Sequence, residues 1–151
     1  MTYLIVKWLH IISATVLFGT GIGTAYHMWM AYRRGEPSVI AHVARTTVSA
    51  DWWFTAPAGI LQPVTGFWLI WLTGRDPLSS WLVLSYALFL VAFACWLPVV
   101  RIQLMVRDEM ASAQTVPETV HRAMRRWFLL GWPAFIALAV VFYLMVAKPS
   151  F

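Results

Sequence analysis

Four long apolar runs set the pattern of this chain, at approximately 4–30, 52–72, 81–100 and 127–146, with polar stretches between them. Each approaches or exceeds the about 20 mostly apolar residues that a helix needs to cross the hydrocarbon of a bilayer. None shows the strict alternation of a half-buried strand. The pattern therefore predicts an all-α fold: an integral membrane four-helix bundle forming a single transmembrane domain over 1–151. Pro57, Pro63, Pro98 and Pro133 fall inside the runs, and each removes a backbone donor, so kinked helices are expected. The tetrapeptide Gly74-Arg75-Asp76-Pro77 reads as a tight turn, which predicts that the second and third helices are antiparallel neighbours. Residues 37–49 have room for a short helix at the membrane surface, and 111–118 read as a flexible polar loop. The first run is far too long for the apolar segment of a signal peptide and is expected to stay as a helix.

Charge adds direction to this plan. Hydrophobic residues make up 61% of the 151, charged residues only 11%, and the net charge is +5. In a water-soluble domain that charge would suggest nucleic acid, but eight of the eleven Lys and Arg residues lie in two loops: Arg33, Arg34, Arg45, Arg101, Arg107, Arg122, Arg125 and Arg126. Only Lys7, Arg75 and Lys148 lie on the other face. The excess of positive charge on cytoplasmic loops then predicts both termini outside and both arginine-rich loops inside, with the lipid bilayer and not nucleic acid as the partner. Tryptophans at the run ends, such as Trp8, Trp29, Trp52, Trp53, Trp71, Trp81 and Trp127, suit the headgroup level. Cys95 has no second thiol, which excludes an internal disulfide and a paired-cysteine metal site. In the first run Gly19 and Gly23 form a GxxxG spacing that allows a close helix contact, either within the bundle or in a homo-oligomer.

Few residues offer chemistry. His10 lies at intramembrane depth, where an imidazole turned into the bundle can ligate a haem iron, accept a proton, or simply bond a neighbouring hydroxyl or carbonyl. His27 is seventeen residues further along the same helix, about 25 Å at 1.5 Å per residue, so the two rings cannot share one iron. They suit at most two separate sites, and the partners near His27 would be His42 or His121, which are expected to be solvated loop residues. Asp51 opens the second run. Its carboxylate is expected either to cap that helix or to pair with His27 or Arg45, fixing a proton site or orienting a ligand. In both cases the cost of a lipid-facing carboxylate predicts that it turns into the bundle. Gln62, Ser85 and Tyr86 are further polar groups at membrane depth, and no nucleophile triad is present.

Residues 49–58 (Ser-Ala-Asp-Trp-Trp-Phe-Thr-Ala-Pro-Ala), Gln62-Pro63, Thr65-Gly66, the run Cys95-Trp96-Leu97-Pro98-Val99-Val100 and the ending Leu144-Met145-Val146-Ala147-Lys148-Pro149 resemble a widespread bacterial family of predicted integral membrane proteins. That resemblance spans nearly the whole chain and implies the bacterial inner (cytoplasmic) membrane, but no reaction. A more distant likeness does carry chemistry. Lys7-Trp8-Leu9-His10-Ile11-Ile12 is similar to the opening of the HemJ family of membrane protoporphyrinogen oxidases and of CopD-like membrane domains. In the HemJ family that histidine is implicated in haem binding, which the likeness transfers to His10. The family's first-helix arginine falls at Tyr26 and its third-helix lysine at Ser85, so both basic groups that would engage an anionic porphyrin substrate are absent.

Two functions follow as expectations. One is a b-type haem or related porphyrin held by His10, serving electron transfer or haem handling. The other is a non-catalytic assembly factor or accessory subunit of a larger membrane complex. The orientation is tested by cysteine scanning: thiols placed at 105–120 should react with an impermeant reagent from the cytoplasmic side only, and labelling from outside would invert the topology.

Overall fold

The computed structural model describes residues 1–149. Among them no strand occurs, and five helices follow in the order α1 (Thr2–Arg34), α2 (Pro37–Ala50), α3 (Ala56–Thr73), α4 (Ser80–Met110) and α5 (Glu118–Ala147). A π-helical turn, Asp51–Thr55, joins α2 to α3. Gly35 ends α1 in the left-handed conformation (φ 71°), and Gly74 does the same for α3 (φ 59°), each a backbone state that residues with a Cβ adopt only at a cost.

The helix that holds the second apolar run does not start where that run starts. Backbone angles at Ala50, Asp51 and Ala56 are all right-handed helical, so α2, the π-turn and α3 form one unbroken helical path. The Ala56 N–H bonds to the carbonyl of Asp51, five residues back. Pro57 explains the wide turn. It has no N–H and its ring would strike the carbonyl four residues earlier, and one added residue in the turn relieves that contact. Asp51 is therefore inside a helix and not its N-cap, which corrects the capping expectation.

Among the described residues three helices are long and apolar enough to cross a membrane: α1, α4 and α5. The fourth apolar run is α3, which has only 18 residues and carries Pro57, Gln62, Pro63 and Thr65, so it falls short of the same standard. The three long helices have 33, 31 and 30 residues. At 1.5 Å per residue they measure about 45–50 Å, well over the roughly 30 Å of hydrocarbon, and must project from it. They project at the arginine-rich end.

Apolar burial is concentrated there. Met28 and Ala31 of α1, Ile40, Ala41, Val43 and Ala44 of α2, Val106 and Met110 of α4, and Val120, Met124 and Trp127 of α5 make one core. The short helix expected over 37–49 is thus a packed element, with Ile40, Ala41, Val43 and Ala44 in that core and Val39 against it. Towards the other end the buried residues are sparse and mostly small, as with Ser13, Ala58, Thr65, Ser85, Ala92 and Ala137. This is the expected division, because lipid tails are as apolar as leucine and supply no force that drives apolar helix faces together.

The chain accordingly divides into two main helix pairs, α4 with α5 and α1 with α3. Stacking of Phe18 on Phe135 and of Trp29 on Phe128 joins α1 to α5, at ring separations of 4.7 and 4.5 Å. The expected neighbour relation of α3 and α4 is confined to local contact such as the stacked rings of Phe67 and Tyr86; their main packing partners are α1 and α5. Gly19 and Gly23 have no atom within 4 Å of where a Cβ would stand, so the GxxxG spacing is not used inside the bundle. These assignments predict that Met124→Ala costs about 2–5 kcal/mol by opening a cavity in the core, whereas Ile60→Ala on the open face of α3 costs far less. Thermal unfolding of the two variants in one detergent measures the difference.

Candidate functional site

His10 and Gln62, on α1 and α3, meet in one polar cluster. The Gln62 side-chain amide donates from Nε2 to the backbone carbonyl of His10 at 2.8 Å and to Ser13 Oγ at 2.5 Å. Ser13 Oγ donates to the same carbonyl at 3.1 Å. Thr65 Oγ1 donates to Leu61 O at 2.6 Å and lies 2.8 Å from His10 Nδ1. Thr65 thus stands between the Leu61 carbonyl and the imidazole, and its single proton serves one of them. When the carbonyl takes it, the neutral ring carries its own proton on Nδ1 and the lone pair on Nε2.

The ring is seated by a missing side chain as well as by these bonds. A Cβ at Gly66 would come within 3.4 Å of His10 Cε1, so the imidazole lies directly on the α3 backbone. Nε2 makes no hydrogen bond among the described residues, and the histidine as a whole is half-buried. Ser13 was given no role from the sequence, and Thr65 only a place in the family motif. The signal was present in their spacing: His10 with Ser13, and Gln62 with Thr65, are each three residues apart and so share a helix face.

Asp51 is buried, at 5% exposure, as the expense of a lipid-facing carboxylate requires. Its partners differ from those expected. Thr55 donates to Oδ1 at 2.8 Å across the π-turn, and Gln103 of α4, itself 4% exposed, lies against the carboxyl. His27 and Arg45 are both exposed and do not pair with it. The unbroken path from α2 into α3 turns Asp51 towards α4, away from α1 and the loop cations. Asp51 also borders a cavity of about 210 Å³ together with Trp52, Ala56, Trp96, Leu97, Val100 and Arg101.

The other histidines are dispersed. His27 is exposed on α1 and His42 exposed on α2. His121 is not the solvated loop residue expected: it is half-buried, and its Nδ1 lies 2.7 Å from the hydroxyl of Tyr32, tying α5 to α1. Among the described residues no group of three or more His, Cys, Asp or Glu is placed to hold a metal ion. A second cavity, of about 450 Å³, opens between α2 and the α4–α5 loop beside Arg45 and Met110. Neither cavity borders His10.

A family model described as "Predicted integral membrane protein (DUF2269)" matches residues 4–149. No curated protein matches the chain. No solved structure matches it either.

The clasp is tested by substitution on the α3 side. Gln62→Leu leaves Ser13 and the His10 carbonyl without their shared donor and should lower stability by about 1–3 kcal/mol. Gly66→Leu should displace the ring outright, seen as a changed imidazole signal in nitrogen-15 spectra of selectively labelled protein.

Proposed function

The chain belongs to this family of predicted integral membrane proteins, and on that premise we propose that it is a four-span protein of the bacterial inner membrane, with both termini outside, that binds haem b or a related porphyrin through His10. The observation that carries this reading is the seating of the His10 ring. Thr65 Oγ1 lies 2.8 Å from Nδ1 and Gly66 lies against the ring, so Nδ1 is engaged by the protein and Nε2 is the nitrogen left for an iron, an arrangement of the kind that orients metal-ligating histidines. The donor chemistry fits an axial ligand of one iron. A bound haem would supply one-electron chemistry at that position.

His10 borders neither described cavity. A porphyrin there would be covered by another chain. The open faces at Gly19 and Gly23 offer a place for a second copy to approach closely, and α1 carries both these glycines and His10. His27, exposed and distant from the clasp, supplies no ligand to this site. The same open faces favour the second reading, a non-catalytic accessory or assembly subunit that packs against a larger complex. Under that reading the His10 clasp only fastens α1 to α3.

An absorption spectrum separates the two. Protein expressed with added haemin and purified as a monodisperse species should show a Soret band that shifts on reduction with dithionite. His10→Ala should abolish the band per unit of folded protein, while His42→Ala, His121→Ala and the exposed same-helix control Thr15→Ala should keep it. Colourless wild-type protein that co-purifies with a larger complex would establish the accessory reading in its place.

A further inference from the structure

Arg101 is the first charged residue after the apolar run of α4, and it is exposed. It makes no hydrogen bond or ion pair among the described residues, where Arg107 with Asp108 is the one ion pair. A guanidinium without a protein partner therefore stands at the level where hydrocarbon gives way to headgroups. Beside it opens the cavity of about 210 Å³ completed by Asp51, Trp52, Ala56, Trp96, Leu97 and Val100. Trp52 is 65% and Leu97 45% exposed, so the cavity is a slot on the outer surface of the bundle and not an internal void.

The direction of the slot follows from the helices that form it. On α4, Leu97 and Trp96 precede Arg101 by four and five residues, about 6–8 Å at 1.5 Å per residue. On the facing wall Ala56 follows Trp52 by four residues. The two walls run antiparallel, so both steps lead from the boundary into the hydrocarbon. The carboxyl of Asp51, at the boundary end, is enclosed and engaged by Thr55 and Gln103, which leaves Arg101 as the charge at the mouth.

Charge and shape together narrow the occupant. A free anion would satisfy the guanidinium and leave the apolar wall unfilled. A zwitterionic lipid would fill the slot but bring a cation of its own to compete with Arg101. A guanidinium meets phosphate oxygens with two parallel hydrogen bonds. At about 210 Å³ the slot is below the roughly 300 Å³ at which pockets for drug-sized ligands begin, which suits part of an acyl chain. We propose that the slot holds an anionic phospholipid whose headgroup carries no cation, its phosphate on Arg101 and one acyl chain along Trp52, Ala56, Trp96, Leu97 and Val100. This site is independent of His10 and of haem.

The test is native mass spectrometry of the full chain in detergent, titrated separately with dioleoylphosphatidylglycerol and dioleoylphosphatidylcholine. The first phosphatidylglycerol should bind with a half-saturation about fivefold lower, the weight of one arginine beside an anionic headgroup. Arg101→Gln should bring the two lipids together, while Arg126→Gln, an exposed arginine that does not line the slot, should keep them apart. Val100→Trp fills the slot with the cation in place and should weaken the first phosphatidylglycerol several-fold. Should that variant fail to insert, Leu97→Trp at a more exposed position serves instead. The proposal is overturned by equal binding of the two lipids to the wild type, by a preference that survives Arg101→Gln, or by displacement of the lipid with excess inorganic phosphate, which would leave a site for a free anion. Unchanged binding in a folded slot-filling variant overturns it as well.

Discussion

Water outside the bilayer and hydrocarbon within it impose different rules on one set of helices, and the architecture follows from where each rule applies. Burying apolar side chains stabilises contact only where the alternative is water. In this chain that condition holds where α1, α4 and α5 run beyond the bilayer, and there the large side chains Met28, Ile40, Met110 and Met124 are fully enclosed. The second apolar element at that end, α2, has no membrane role by length. It closes the core between α1 and α4. Further along, where lipid solvates apolar faces equally well, packing depends on small residues, stacked rings and hydrogen bonds.

Seen in that light the cluster at His10 belongs to the economy of the α1–α3 pair. Away from the core this pair has little large-residue packing to hold it, and Gln62 bonds both the His10 carbonyl and Ser13 across the gap. A hydrogen bond in hydrocarbon has no competing water, though measured values for such bonds average below 1 kcal/mol because the separated helices also find partners. Fastening the helices and orienting the imidazole are one arrangement of atoms. The same Thr65 hydroxyl that satisfies Leu61 O engages the Nδ1 side of the ring.

Much of this was legible in the sequence. The apolar runs, the long arginine-bearing segments, the short helix after residue 37 and the inward turn of Asp51 all follow from the costs of exposing apolar or charged groups to the wrong solvent. Three features were not legible. The π-turn depends on how Pro57 is accommodated, and a proline alone does not say whether a helix kinks, stops or widens. The partners of Asp51 depend in turn on that widening, which is why Gln103, more than fifty residues away, was missed while the nearby cations were expected. The looseness of α3 against α4 was hidden because a tight turn sets the direction of the returning helix and says nothing about which neighbour it packs upon.

The single added residue in the π-turn also acts as a phase adjuster. Successive residues of an α-helix point about 100° apart around its axis, so one residue more or less between α2 and α3 rotates everything downstream by that angle relative to everything upstream. Upstream, Ile40, Ala41 and Ala44 must face the core; downstream, Gln62, Thr65 and Gly66 must face His10. Both demands are met along one continuous rod only because the wide turn sets the angle between them. Any change of chain length at 51–55, even of one residue, would leave each half intact and point them at different neighbours.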